Sequence, residues 1–432
     1  MQGFLQGFRA LRHPNYRLFW IGQLVSLIGT WMQTVAQSWL VLQLTGSAVA
    51  LGIVGALQMF PTLVIGIFCG VLADRWRKRD ILVVTQTLQM LFAFILAVLV
   101  STHHVQLWHI YVLATLLGIA NAFDMPVRQA FVMEMVGRED LINAVALNSM
   151  QFNAARVIGP ALAGISIAAI GISGSFYANG ISFVAVIGGL LAMRSKTFYA
   201  VPTLEQRSIL ESLREGCVYV WQTPVVLLIT LLVGAIGMFA FNYNVLLPIF
   251  AQSILKVGPT GFGWLGAVYG IGSLAGAFVA AFTNRARWIV LFAGALGFFL
   301  MQFAFAFSRS YQLSLILLAV AGFCLINFFT SANTAVQQQV PDELRGRVMG
   351  VYMTLNNGTT PFGNILTGWL AGAFGATVAL ALSMGSGLIC LLAGAVWLAS
   401  HRRSPRLRIQ AAPRPRTPVS QPRLHALSDA GD

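Results

Sequence analysis

Twelve long apolar stretches run through this chain, and almost every basic residue falls in alternate connections between them. The hydrocarbon core of a bilayer is about 30 Å thick and takes roughly 20 apolar residues per helical span. The pattern predicts spans near 17–43, 48–72, 80–101, 107–127, 141–170, 174–193, 225–251, 260–283, 288–307, 311–334, 347–374 and 377–399. In lipid every backbone polar group must be satisfied within its own segment or by a closed barrel, so such stretches are helices. The predicted class is an all-α polytopic membrane protein with twelve transmembrane helices. Composition agrees: 57% of the residues are hydrophobic and 9% charged, where a soluble domain carries about 25% charged.

Charge placement predicts the orientation. With the N-terminus inside, Arg9, Arg12 and Arg17, the cluster from Arg75 to Arg79, Arg128, Arg138, Arg194, Lys196, Arg207, Arg214, Arg285, Arg287, Arg345, Arg347 and the tail arginines from Arg402 to Arg423 all lie on one side. Lys256 and Arg309 fall on the other, and Arg156 lies within a span. The positive-inside rule then puts both termini in the cytoplasm. The net charge of +14 is better explained by anionic cytoplasmic lipid than by nucleic acid, because the arginines cap spans instead of interleaving with stacking aromatics. The four cysteines are scattered, with no C-x-x-C or Cys/His cluster, so neither zinc nor a disulfide framework is expected. The first apolar stretch is too long for a signal-peptide core and is read as a retained span.

Residues 1–16 form a short basic lead with Phe4, Leu5, Phe8 and Leu11 spaced for an interfacial segment. The connection 194–224 interleaves Glu205, Arg207, Glu211, Arg214 and Glu215 with apolar residues and predicts a surface helix ending at Pro224. It divides the chain into a six-helix unit over 1–193, the linker 194–224 and a six-helix unit over 225–399, followed by a disordered basic tail over 400–432. An internal repeat supports two related halves. Gly159-Pro160-Ala161-Leu162-Ala163-Gly164 recurs as Gly363-Asn364-Ile365-Leu366-Thr367-Gly368, offset by 204 residues. Ala73-Asp74-Arg75 likewise has a counterpart in Thr283-Asn284-Arg285. Parallel six-span halves describe transporters that bind near the midplane between two rocking bundles.

The connection between spans 2 and 3 runs from Gly70 through Asp74, Arg75, Trp76, Arg77, Lys78 and Arg79 to Asp80. It resembles the G-x-x-x-D-R-x-G-R-K loop signature of the major facilitator superfamily, with Arg77 at the second glycine position. The resemblance implies two pseudo-symmetric bundles and a cytoplasmic gate latched by Gly70, Asp74, Arg75, Lys78 and Arg79. Further runs resemble the branch holding enterobactin-type siderophore exporters and macrolide-efflux proteins. They are His13 to Trp20 (HPNYRLFW), Trp39 to Gly46 (WLVLQLTG), Asp124 to Ala130 (DMPVRQA), Glu139 to Ala144 (EDLINA) and Ser212 to Gly216 (SLREG). That branch implies export of small organic molecules by proton antiport. The chain departs from it in placing Thr30 after Gly29, where many relatives carry an acid. It also has no cation over 108–123.

Ionisable residues within spans are the first functional candidates. Arg156, half-way along its span, calls for a wet cavity, an acid or an anionic ligand; a structural pair with a carbonyl or acid is the other reading. Asp124 lies four residues before Arg128, so the two share a helical face. The readings open to it are engagement of the loop cations in a gate, proton carriage, or a local helix-end pair with Arg128. Gln23, Ser26, Thr30, Gln33 and Gln37 form a polar stripe on span 1, and Asn327, Thr330, Thr334 and Gln337 form another on span 10. Gln33, Gln37, Arg156, Asn242, Asn327 and Asn357 are the expected cavity residues. Trp31, Phe241 and Tyr269 suit an amphipathic ligand, and Arg156 favours an anion or a catechol-like siderophore.

No phosphate-binding loop or soluble nucleotide-binding segment appears, and no nucleophile, base and acid stand together. The expectation is therefore a monomeric secondary transporter, not an enzyme. It needs no cofactor or metal and has a small-molecule substrate, protons and membrane lipids as its partners. Lipid or nutrient movement by the same fold, a lysophospholipid flippase for example, is the second reading. A membrane sensor acting through the basic tail is the third.

Overall fold

The computed structural model describes residues 7–73, 76–194, 198–199, 209–239, 243–281 and 288–401. Among them the regular structure is helical throughout. A short 3-10 turn, Arg9–Arg12, leads into α1 (Pro14–Thr45), which ends on Gly46 in the left-handed region. Then come α2 (Ala48–Ala73), α3 (Lys78–Ser101) and the 85-residue α4 (Leu107–Leu191). The expected surface helix is α5 (Ile209–Gln222). The second half comprises α6 (Pro224–Phe239), α7 (Tyr243–Ile249), which runs on through a π turn at Phe250–Ile254, α8 (Pro259–Ala281), α9 (Trp288–Phe307), α10 (Tyr311–Gln339), α11 (Asp342–Gly358), α12 (Thr360–Phe374) and α13 (Ala376–His401).

Nine helices among the described residues are long and apolar enough to cross a membrane. One of them, α4, would measure about 130 Å if straight at about 1.5 Å per residue, several times the bilayer core. It breaks at Gly137 (φ 72°, ψ −179°) and Gly171 (φ 77°, ψ 174°), a conformation open only to glycine, giving segments 107–136, 138–170 and 172–191. These are the predicted spans 4, 5 and 6; the first two run further at their basic ends than the apolar pattern alone indicated, and the third lies two residues nearer the far end.

Predicted span 11 departs from expectation, being split at Thr359 into α11 and α12, each too short to count alone. Pro361 disfavours helical geometry in the residue before it and removes one amide donor. Two threonine hydroxyls brace the break. Thr359 Oγ1 donates to Leu355 O at 3.0 Å and to Gly234 O of α6 at 3.0 Å, and Thr360 Oγ1 donates to Asn356 O at 3.2 Å. Such side-chain rescue is how membrane helices tolerate breaks.

Where helices meet, small residues let the backbones approach, as packing in lipid favours. A Cβ on Gly263 of α8 would stand 2.4 Å from Pro160 O and 2.9 Å from Gly164 Cα. A Cβ on Gly52 of α2 would stand 2.5 Å from Asn364 O and 3.2 Å from Gly368 Cα of α12. The two copies of the sequence repeat thus make the same kind of crossing, one with α8 and the other with α2. Large apolar side chains such as Ile170, Ile181, Ile316, Ile389 and Val396 project outward and are exposed. That distribution suits a hydrocarbon solvent.

Candidate functional site

The end of the molecule bearing the basic connections is organised by ion pairs. Lys78 Nζ, at the start of α3, lies 2.7 Å from Glu134 Oε1 of α4. Arg79 Nη2 donates to Leu191 O at 2.9 Å, placing a cation at the C-terminal end of α4, where the helix dipole is negative. Arg9 Nε and His13 Nε2 both reach Asp140, each at 2.9 Å, and Arg9 also lies 3.6 Å from Glu139. Asn15 and the backbone of Arg194 exchange two 3.0 Å hydrogen bonds, tying the start of α1 to the end of α4. In the second half Arg347 pairs with Glu215 of α5, and Arg345 with Asp342 at 2.5 Å.

Asp124 is 1% exposed. One carboxylate oxygen accepts from Thr85 Oγ1 at 2.9 Å and from Gln86 Nε2 at 2.7 Å, both on α3, while the other pairs with Arg128 one turn along α4. The local pair is therefore present, with two donors from the neighbouring helix added. Lys78 and Arg79, which the loop resemblance put near Asp124, engage Glu134 and Leu191 instead. Asp74 and Arg75 lie outside the described residues, and Gly70 sits in the last turn but one of α2. Thr85, Gln86 and Glu134 were not singled out from sequence. The polar residues Thr85, Gln86 and Gln89 in an otherwise apolar span were the available signal.

The span-1 stripe is packed. Gln23, Ser26, Gln33 and Gln37 are each buried, and Gln33 Oε1 accepts from Asn179 Nδ2 of α4 at 2.6 Å. Thr30 Oγ1 donates to its own helix at Ser26 O. On α10, Asn327 Nδ2 donates to Phe323 O at 2.9 Å and packs beside Gly276 of α8. Asn357 is exposed at the end of α11, and Asn242 and Phe241 lie outside the described residues. Arg156 is the candidate that reaches across the halves. Its guanidinium carbon stands 5.0 Å from the ring centroid of Tyr269 on α8.

Contacts between the halves concentrate away from the basic end. Gly164 meets Pro259 and Thr260, Gly52 meets Gly368, and Trp39, near the far end of α1, stacks on Phe262 with centroids 5.5 Å apart. Among the described residues, the ion pairs at the basic end join partners within one half or between α5 and the second half. The geometry is a pair of bundles sealed at one end and joined at mid-depth by Arg156 and Tyr269.

A family model described as transmembrane secretion effector matches residues 5–427. The multidrug efflux pump Tap of Mycolicibacterium fortuitum is 29% identical, over 80% of this chain and 87% of the relative. The enterobactin exporter EntS of Escherichia coli is 26% identical, over 88% of this chain and 90% of the relative. Among solved structures, a bacterial homolog of the human lysosomal transporter Spinster, crystallised inward-facing and unoccupied, superposes with a TM-score of 0.70. It covers 89% of this chain and 95% of that one at 14% identity, a likeness of fold alone.

Proposed function

The chain belongs to the transmembrane secretion effector family of major facilitator transporters, and from that premise we propose that it exports small organic molecules from the cytoplasm by alternating access, driven by proton antiport. The observation carrying this is the one-sided closure of the halves. The far-end glycine crossings form a seal, while the ion pairs of the basic end stay within each half and leave that end free to open. The positive-inside rule assigns the open end to the cytoplasm, from which an exporter must load.

In this reading Gly70, Asp74, Arg75, Lys78, Arg79, Asp124 and Arg128 make up the inner gate, and Asp124 is the candidate proton carrier. A carboxylate 1% exposed and held by three donors changes its bonding when protonated, which frees Arg128 to rearrange. Gln33, Gln37, Arg156, Asn242, Asn327 and Asn357 are assigned to the cavity. The named cargo of the relatives, a multidrug range and enterobactin, suggests a siderophore-like or drug-like substrate.

The test is accumulation of labelled compounds in efflux-deficient cells expressing the protein. The panel is a catecholate siderophore, a macrolide, a cationic dye and a lysolipid, each with and without a protonophore. Lower accumulation that the protonophore reverses is the expected outcome. Movement of the lysolipid alone, indifferent to the protonophore, replaces export with a flippase reading. No change for any compound removes the export proposal.

A further inference from the structure

The contact between Arg156 and Tyr269 sits where the α4–α8 seam ends. From the far end inward, Gly164 meets Thr260 and Pro160 O meets Gly263. A Cβ on Gly270 would stand 3.0 Å from Arg156 O and 3.1 Å from Val157 Cα. One turn further toward the basic end the seam relaxes: Ser149 and Phe152 are exposed, and Asn153, Leu274 and Ala277 are half-buried. Tyr269 is 4% exposed and Arg156 half-buried. Anything entering between the halves from the basic end meets this pair at the apex of the opening.

Among the described residues, no carboxylate lies within ion-pair distance of Arg156. A guanidinium in the middle of a membrane is costly and is retained for a partner. Here the partner is an aromatic face, which attracts a cation through its quadrupole. An oxyanion competes well against that arrangement, because Arg–carboxylate contacts are charge-assisted and bidentate. Once released from the guanidinium, the Tyr269 ring becomes available for stacking.

We propose that Arg156 and Tyr269 together form the recognition point for an aromatic oxyanion, the ring of Tyr269 holding the guanidinium until cargo takes it over. The oxyanion pairs with Arg156 while the aromatic body of the cargo lies against Tyr269. Because the two residues belong to different halves, occupation replaces a direct tie across the seam with one made through cargo. This deepens the transporter reading above and rests on it.

The experiment is equilibrium binding to the purified full-length chain in nanodiscs by scintillation proximity. The probes are tritiated dihydroxybenzoate and its tritiated methyl ester, which keeps the ring and loses the charge. Wild type is expected to bind the acid at least about ten-fold more tightly than the ester, the scale of one charge-assisted pair. Arg156→Gln removes that preference by weakening the acid alone, and Arg156→Lys, which keeps charge without the fork, retains part of it. Tyr269→Leu weakens both probes several-fold, whereas Tyr269→Phe keeps the ring and the preference. The conservative pair keeps the test decisive should either larger change prevent folding. A preference that survives in Arg156→Gln, or a Tyr269→Leu protein that binds like wild type, overturns the proposal. Wild type that binds neither probe overturns it as well, while protonophore-reversible export in cells stands or falls on its own.

Discussion

At the scale of single residues, the most constrained group outside the cavity candidates is Asp124. Its carboxylate is 1% exposed and satisfies Thr85, Gln86 and Arg128 together. Removing one partner of a buried ion pair leaves the other uncompensated, at about 3–5 kcal/mol. Asp124→Ala is therefore expected to lower the melting temperature of the detergent-purified protein markedly. Asp124→Asn retains an acceptor and is expected to lower it less. Thermal unfolding followed by tryptophan fluorescence checks the order, and equal melting of Asp124→Ala and wild type would refute the structural role. If Asp124 carries the proton, Asp124→Asn also loses protonophore-sensitive export while remaining folded. Part of this site was legible beforehand, since a four-residue spacing puts Asp124 and Arg128 on one face of any helix. The donors from α3 were not, because helical periodicity says which face a residue occupies and not which helix lies opposite. Lys78 shows the same limit: its place in a basic loop is plain from sequence, but its partner Glu134 is 56 residues away.

At the scale of elements, the glycine repeat was readable as a repeat, and the structure supplies what it does. Gly164 with Gly263, and Gly368 with Gly52, bring backbones to distances that leave no room for a Cβ. Valine at such a crossing overpacks it, at about 1–3 kcal/mol, and the closed far end bears the whole of that penalty. Gly263→Val is thus expected to shift the molecule toward a state open at the far end, and Gly52→Val to do so by the pseudo-symmetric crossing. A cysteine-free background carrying Ala163→Cys, at a buried position beside Gly164, reports this through its rate of maleimide labelling. The rate should rise several-fold in Gly263→Val, and an unchanged rate counts against the seal. The break between α11 and α12 was the element least visible in sequence. Pro361 marked an interruption, but whether the chain bends or divides there depends on Thr359 finding Gly234 O on α6, a tertiary contact that no local pattern encodes. Similarly, the breaks in α4 fall at glycines whose conformation, not identity, ends the helix.

At the scale of the whole molecule, the class of fold followed from hydropathy alone, because a bilayer admits few solutions for long apolar segments. The sidedness on which the export proposal depends rests on charge. Only Lys256 and Arg309 fall in the far-end connections, and Lys256 lies two residues past the π turn that closes predicted span 7. Short connections with this much arginine on one side resist translocation, so the basic end is expected to face the cytoplasm. Alkaline phosphatase folds only outside the inner membrane and green fluorescent protein only inside it, so paired fusions at one site read its side directly. Phosphatase inserted after Lys256 should be active and the fluorescent protein dark. Fusions after His401 should give the reverse. The opposite pattern would turn the molecule over in the membrane. The open end would then face outward, Arg156 and Tyr269 would meet external cargo first, and the same geometry would load an importer.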